Sequence, residues 1–294
     1  MKLMAVALLT LSSFPLAAQS DHAGHGAPPA TPAASAASAA RDASLPPSEA
    51  EAKAALETSP RHGELVDVKM PSGGPVKTWI VYPERKDKAG VVIVIHEIFG
   101  LSDWIRGVAD QLAREGFIAV APDLLSGHGP GGGGTESAGG KDGAAKLIGE
   151  VKPDELKARL DAVRAWAIHL PAANGKSGTI GFCWGGAQSF YYAAEQTALN
   201  AAVVYYGVSP DKNELALIYA PVLGLYGGDD ARVVSTVAPA QEYMKRIGKS
   251  YEPHIFEGAG HGFLRAQGER DGANLKAARE AWPLTIAFLK KNLG

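Results

Sequence analysis

A chain of 294 residues, 46% of them hydrophobic, is long enough to bury a sizeable core and is not a wholly disordered polymer. Its 29 basic and 31 acidic residues leave a formal net charge of -2, which excludes a strongly basic chain overall and gives no sign of a nucleic-acid surface or a strong electrostatic lure for anions. A single cysteine, Cys183, excludes an internal disulfide.

In chain order, Lys2, the apolar run Met4 to Leu11 and the small pair Ala17 and Ala18 have the pattern of a signal peptide over residues 1–18, cleaved before Gln19. The run is too short to span a bilayer, which takes about 20 apolar residues, so the mature protein is expected in the periplasm or outside the cell. Residues 19–58 are dominated by Ala, Pro, Ser and Gly and predict a disordered tether, with at most a marginal helix over 48–57. Residues 59–294 are expected to form one domain.

Within that domain, Val66 to Met70 and Lys77 to Tyr82 predict a hairpin across Pro71–Pro75. Val91 to Ile95 is a continuous β-branched run suited to a buried parallel strand. A helix follows, capped by Ser102 or Asp103 and ending at Gly116, and then a strand over Phe117 to Ala121. After the glycine-rich stretch 127–140, Pro153 opens a helix whose apolar face carries Leu156, Leu160, Val163 and Ala167. Strands are expected at Thr179–Phe182, Ala201–Tyr206, Val222–Tyr226 and Tyr251–Glu257. Helices are expected at Gly185–Glu195, Pro239–Ile247 and Ala273–Leu293, the last with a kink or a cost of about 3 kcal/mol at Pro283. This cadence predicts an α/β fold: a mostly parallel sheet with helices on both faces, and a ligand site at the carboxyl ends of its strands.

The sharpest local pattern is Gly181-Phe-Cys-Trp-Gly-Gly186, which lies between a strand and a helix. It has the form of a nucleophile elbow with Cys183 in place of serine, and the helix start behind it is expected to favour the thiolate. A nucleophile of this kind needs a base, and the base needs an orienting carboxylate. His261, in a glycine-flanked turn after the last strand, supplies the base, and Asp230 or its neighbour Asp229 supplies the carboxylate. The other histidines fit less well: His22 and His25 fall in the tether, His62, His169 and His254 lie away from the strand ends, and His128 lies in the glycine-rich stretch. His96 precedes Glu97, but the zinc-protease pattern needs a histidine where Gly100 stands, so no metal site is expected. Backbone N–H groups of Ile98 and Trp184 are candidates for an oxyanion hole.

Five motifs in order carry a resemblance: His96-Glu-Ile-Phe-Gly100, Ala121-Pro-Asp-Leu124, Gly181 to Gly186, Tyr226-Gly-Gly-Asp-Asp230 and Gly258-Ala-Gly-His-Gly-Phe263. From about Gly63 onward the chain resembles dienelactone hydrolases, α/β hydrolases with a cysteine nucleophile. The resemblance implies a cofactor-free hydrolase of small esters or lactones, working through Cys183, His261 and Asp230 and a thioester acyl-enzyme. It implies further that Glu97 contacts the resting nucleophile and couples its activation to substrate binding, and that Arg265 receives a substrate carboxylate. The second arginine of the family's carboxylate clamp is absent, since Ser126 and Gly127 stand there. The expected partner is therefore a small-molecule ester or lactone, with no nucleic acid and no membrane contact beyond export, and the protein is expected to act as a monomer. Two other readings of the site are a thiol that senses oxidant and a ligand-binding pseudo-enzyme; the first lacks a resolving cysteine and the second a broken triad.

Overall fold

The computed structural model describes residues 41–294; the expected signal peptide and residues 19–40 of the expected tether lie outside the described residues. The strands are β1 (Gly63–Val68), β2 (Val76–Val81), β3 (Ala89–Ile95), β4 (Ile118–Pro122), β5 (Ala173–Phe182), β6 (Ala201–Tyr205), β7 (Val222–Gly227) and β8 (Tyr251–Phe256). They form one eight-stranded sheet in the order β1-β2-β4-β3-β5-β6-β7-β8. The hairpin strands β1 and β2 run antiparallel at one edge, and β3 to β8 run parallel.

Eight helices cover the described sheet: α1 (Ala52–Glu57), α2 (Asp103–Arg114), α3 (Lys141–Ile148), α4 (Pro153–Ile168), α5 (Trp184–Glu195), α6 (Lys212–Leu217), α7 (Ala231–Arg246) and α8 (Ala273–Leu293). Alternation along β3 divides the core. Val92 and Val94 face α2 and α8, whereas Val91, Ile93 and Ile95 face α4, α5 and α7. Every residue of β3 is buried, as a central parallel strand covered on both faces must be.

Several helices depart from the sequence reading. The glycine-rich stretch leads into α3, and α6 follows a capping box built by Asp211 and Glu214; neither helix was expected from periodicity. Helix α7 begins at Ala231 rather than near Pro239, because Asp230 caps its N-terminus, whereas α8 has the expected bounds, with Pro283 inside it.

The tether reading needs a larger correction. Residues 41–58 are folded onto the domain. Leu45 is 1% exposed and belongs to the same core cluster as Trp104 and Trp282. Main-chain carbonyls and ion pairs add to the docking: Trp104 Nε1 donates to Pro47 O at 3.0 Å, Gln267 Nε2 donates to Pro46 O at 2.9 Å, and Asp42 pairs with Arg279 at 3.0 Å. Composition conceals such docking, because one leucine, a few backbone oxygens and isolated ion pairs hold the segment down.

Truncating Leu45 tests this attachment. Leu45→Ala should cost about 3 kcal/mol and lower Tm by about 10 °C in a thermal melt. An unchanged Tm would show that the segment does not dock.

Candidate active site

Strand register assembles the site. Ile95 pairs with Gly181, Phe182 with Tyr205, Tyr205 with Leu225, and Gly227 with Phe256. The residues that follow these strand ends therefore emerge at one edge of the sheet: His96 and Glu97, Cys183, Tyr206, Asp229 and Asp230, and, four residues after Glu257, His261.

Cys183 sits at the N-cap of α5 with φ 57 and ψ -117, a left-handed conformation that a side chain adopts only when its surroundings dictate it. The glycines behind it are sterically required. A Cβ on Gly185 would lie 2.3 Å from His96 O, and one on Gly186 would lie 2.3 Å from Tyr205 O. Only glycine lets the helix approach the neighbouring strand ends this closely.

Asp230 and His261 are joined. His261 Nδ1 lies 2.5 Å from Asp230 Oδ2, so the ring donates to the carboxylate and keeps Nε2 as its acceptor nitrogen. Asp230 also caps α7, its Oδ1 accepting from Val233 N–H at 3.4 Å. Asp229 turns to the exterior instead, where Arg270 Nη1 holds it at 2.6 Å. Between the two aspartates, the geometry pairs Asp230 with the histidine.

Cys183 is less prepared than its sequence context implied. Among the described residues no hydrogen bond joins its sulfur to His261; the group that meets the sulfur is the Trp184 N–H at the start of α5. Burial and the nearby Glu97 carboxyl push the thiol up to about 11, and Trp184 N–H, Arg232 and Arg265 only partly oppose them. The helix start does favour the thiolate, but desolvation outweighs it.

Glu97 is 3% exposed, and burial pushes its carboxyl up to about 7 despite Arg265 beside it. Arg265 Nε lies 2.9 Å from Glu97 Oε2. The other face of the guanidinium meets Glu49 of the N-terminal segment, with Arg265 Nη1 at 2.5 Å from Glu49 Oε2. Phe99 packs under the same guanidinium at 5.5 Å.

The loop after β3 is fixed by His96. Leu124 N–H donates to His96 Nε2 at 3.1 Å, so the ring is neutral with its proton on Nδ1, which donates to Glu97 O at 2.6 Å. Burial lowers the pKa of His96. The ring also stacks on Trp184 at 5.9 Å. Ile98, from the same loop, packs against the small cluster of Leu125, Ala144 and Ile148, and its N–H makes no backbone hydrogen bond among the described residues. At the position of the missing arginine, Ser126 and Gly127 belong to a loop pinned by Arg159, whose Nη2 donates to Ser126 O at 2.6 Å. Asp123 ties the glycine-rich stretch down by accepting from Thr135 N at 2.8 Å and Thr135 Oγ1 at 2.7 Å.

Sequence reasoning passed over Tyr206 and Glu49. Tyr206 has φ 42, its ring centroid lies 5.2 Å from that of His261, and its hydroxyl is buried with no hydrogen-bond partner among the described residues. Glu97, Arg265 and Cys183 all lie within electrostatic reach of that hydroxyl, and burial pushes its pKa far up. A buried donor without a partner at a parallel strand's carboxyl end makes Tyr206 a candidate ligand contact. Its place directly after the fourth parallel strand was the available signal. For Glu49 no sequence signal existed.

The family model for the dienelactone hydrolase family matches residues 76–293. A Salmonella typhimurium protein assigned as a carboxymethylenebutenolidase is 31% identical over 222 residues, covering 71% of this chain and 80% of that protein. A Saccharolobus solfataricus protein of the same assignment is 28% identical, covering 74% of this chain and 95% of its own length. Among solved structures, a protein from Klebsiella pneumoniae assigned as a dienelactone hydrolase superposes with a TM-score of 0.69 at 27% identity, covering 78% of this chain and 98% of that chain.

The raised carboxyl of Glu97 has a measurable consequence. A carboxyl that ionises near 7 when folded and near 4.5 when unfolded binds more protons in the folded state between those values, so its contribution is complete below 4.5 and is lost as pH rises through 7. Over that window the wild type should lose up to roughly 3 kcal/mol that Glu97→Gln does not lose. Denaturant unfolding of both proteins at pH 5 and pH 8 checks this, and parallel pH profiles would show that Glu97 ionises normally.

Proposed function

The chain belongs to the dienelactone hydrolase family, and from that premise we propose that it hydrolyses a small carboxylic ester or lactone through Cys183, His261 and Asp230. The observation that carries this reading is the 2.5 Å Asp230–His261 pair standing at the same sheet edge as a cysteine held in a left-handed elbow.

The reaction follows from the groups at that edge. The resting thiol is protonated and has no hydrogen bond to His261, so activation includes a turn of the sulfur towards Nε2. Negative charge on Glu97 opposes thiolate formation, and protonation of Glu97 or closer pairing with Arg265 lowers that cost. His261 takes the thiol proton while Asp230 holds the ring and stabilises the imidazolium. The sulfur then attacks the acyl carbon, and the oxyanion is received by the N–H groups of Ile98 and Trp184. As the C–O bond breaks, His261 returns the proton to the leaving alkoxide, which for a lactone remains tethered to the acyl group. Water, deprotonated by His261, attacks the thioester; the C–S bond breaks and the thiol is re-formed as the acid leaves.

A thiol pushed up to about 11 is a poor oxidant sensor, because the thiolate is the form that peroxides attack. Hydrolysis tolerates that value because His261 removes the proton only as bond formation begins. Export belongs to the same proposal and is supported by the pattern of residues 1–18.

Cys183→Ala should lower kcat/KM for a dienelactone or a 4-nitrophenyl ester to the uncatalysed background. Asp230→Asn should cost about 10^4-fold, by analogy with loss of the orienting aspartate in serine proteases, whereas Asp229→Asn should stay within about threefold. Full activity in the alanine variant would sink the mechanism, and a larger loss for Asp229→Asn would exchange the two aspartates. For export, N-terminal sequencing of protein recovered from outside the cytoplasm should begin at Gln19; recovery of only the uncleaved chain from the cytoplasm would refute it.

A further inference from the structure

The segment ahead of the family-matched span carries a carboxylate into the site. Glu49 faces Arg265 with one oxygen, at 2.5 Å from Nη1, and Lys141 pairs with the other. Its placement is fixed by the main chain around it. Glu49 N–H donates to Arg265 O at 2.9 Å, the carbonyls of Pro46 and Pro47 are held by Gln267 and Trp104, and Ser48 N–H and Oγ both donate to Glu51 Oε2. Burial by itself would raise the Glu49 carboxyl, but Lys141 and Arg265 outweigh it and hold it below its ordinary value, so it is an anion at neutral pH.

Arg265 is thereby bracketed by two carboxyl groups, Glu97 within the site and Glu49 from the segment. Its guanidinium and Lys141 are the cations beside Phe99 at this side of the site. An incoming carboxylate would have to displace Glu49 from Arg265 and would meet its like charge while doing so. An uncharged acyl group meets no such cost.

We propose that Glu49 is a specificity-determining residue: it fills the carboxylate-binding face of Arg265 and turns the site towards uncharged esters and lactones and away from carboxylate-bearing ones. This rests on the reading of the site as an ester or lactone hydrolase and adds the charge class of its substrate. A purely structural Glu49, one that only fastens the segment, would affect charged and uncharged substrates alike.

The experiment compares 4-nitrophenyl pentanoate with mono-4-nitrophenyl glutarate, in which a carboxylate replaces the terminal methyl group, on the full chain. In Glu49→Gln the ratio of kcat/KM for the glutarate ester to that for the pentanoate ester should rise by about tenfold, carried by KM. In Glu49→Gln/Arg265→Gln that rise should disappear, because the cation that the substrate carboxylate would use is gone. Should the amide variant melt early, Glu49→Met, which keeps the volume and apolar stem, repeats the comparison. A ratio within twofold of wild type in a folded variant overturns the proposal, as does a rise that persists without Arg265. Calorimetric titration with glutarate supplies a readout independent of turnover, with about tenfold tighter binding expected in Glu49→Gln. Absence of turnover in every protein would refute the hydrolase reading, while the glutarate titration would still decide the role of Glu49.

Discussion

Main-chain hydrogen bonding among parallel strands is the constraint on which the rest of this molecule depends. In β3 and β5 to β8 the register aligns Ile95, Gly181, Tyr205, Leu225 and Phe256 near one edge, so every chain segment leaving that edge opens into the same space. A one-residue slip in β3 would exchange the side chains presented to the two helix-covered cores and mismatch the packing on both faces, which makes the register energetically firm. The separations in sequence are large, with Glu97 and His261 more than 160 positions apart, yet their proximity follows from five strand ends.

Desolvation then sets the chemistry at that edge. The same burial that raises Glu97 to about 7 raises Cys183 to about 11, and the two groups act on each other because both lie in a poorly solvated space. The arrangement holds Cys183 as a thiol. Arg265 is the counterweight, near enough to lower both values, and is itself shared with Glu49. Charge beside Glu97 is thus a balance among Glu49, Lys141 and Arg265, while burial and the Glu97 carboxyl weigh on the thiol more than the helix that follows it.

Loop anchoring protects this balance. His96 uses both ring nitrogens to join the loop after β3 to the loop after β4, Asp123 joins the latter to Thr135, and Arg159 reaches across from α4 to its carbonyls. Each of these groups is buried or nearly so, and a buried polar group left unpaired costs about 1–3 kcal/mol, which explains why their partners are so completely satisfied. Tyr206, beside the thiol, instead has a buried hydroxyl with no hydrogen-bond partner among the described residues.

Residue order by itself determined the parallel α/β architecture, the strands of the sheet within a few residues, the elbow around Cys183 and the candidate set of His261, Glu97 and the aspartate pair. It could do so because β-branched runs, glycine spacing and turn chemistry are local properties, written where they act. Only the tertiary structure decided which aspartate meets His261, since neighbours in one turn differ in direction and not in composition. The same holds for the protonated thiol, because desolvation depends on what covers a group. It holds too for residues 41–58, read as tether yet docked by Leu45 and by backbone carbonyls that no composition reveals. Helix propensity and hydrophobic period describe a segment; the partner that fills its hydrogen bonds lies elsewhere in the chain and is known only once the fold has brought it there.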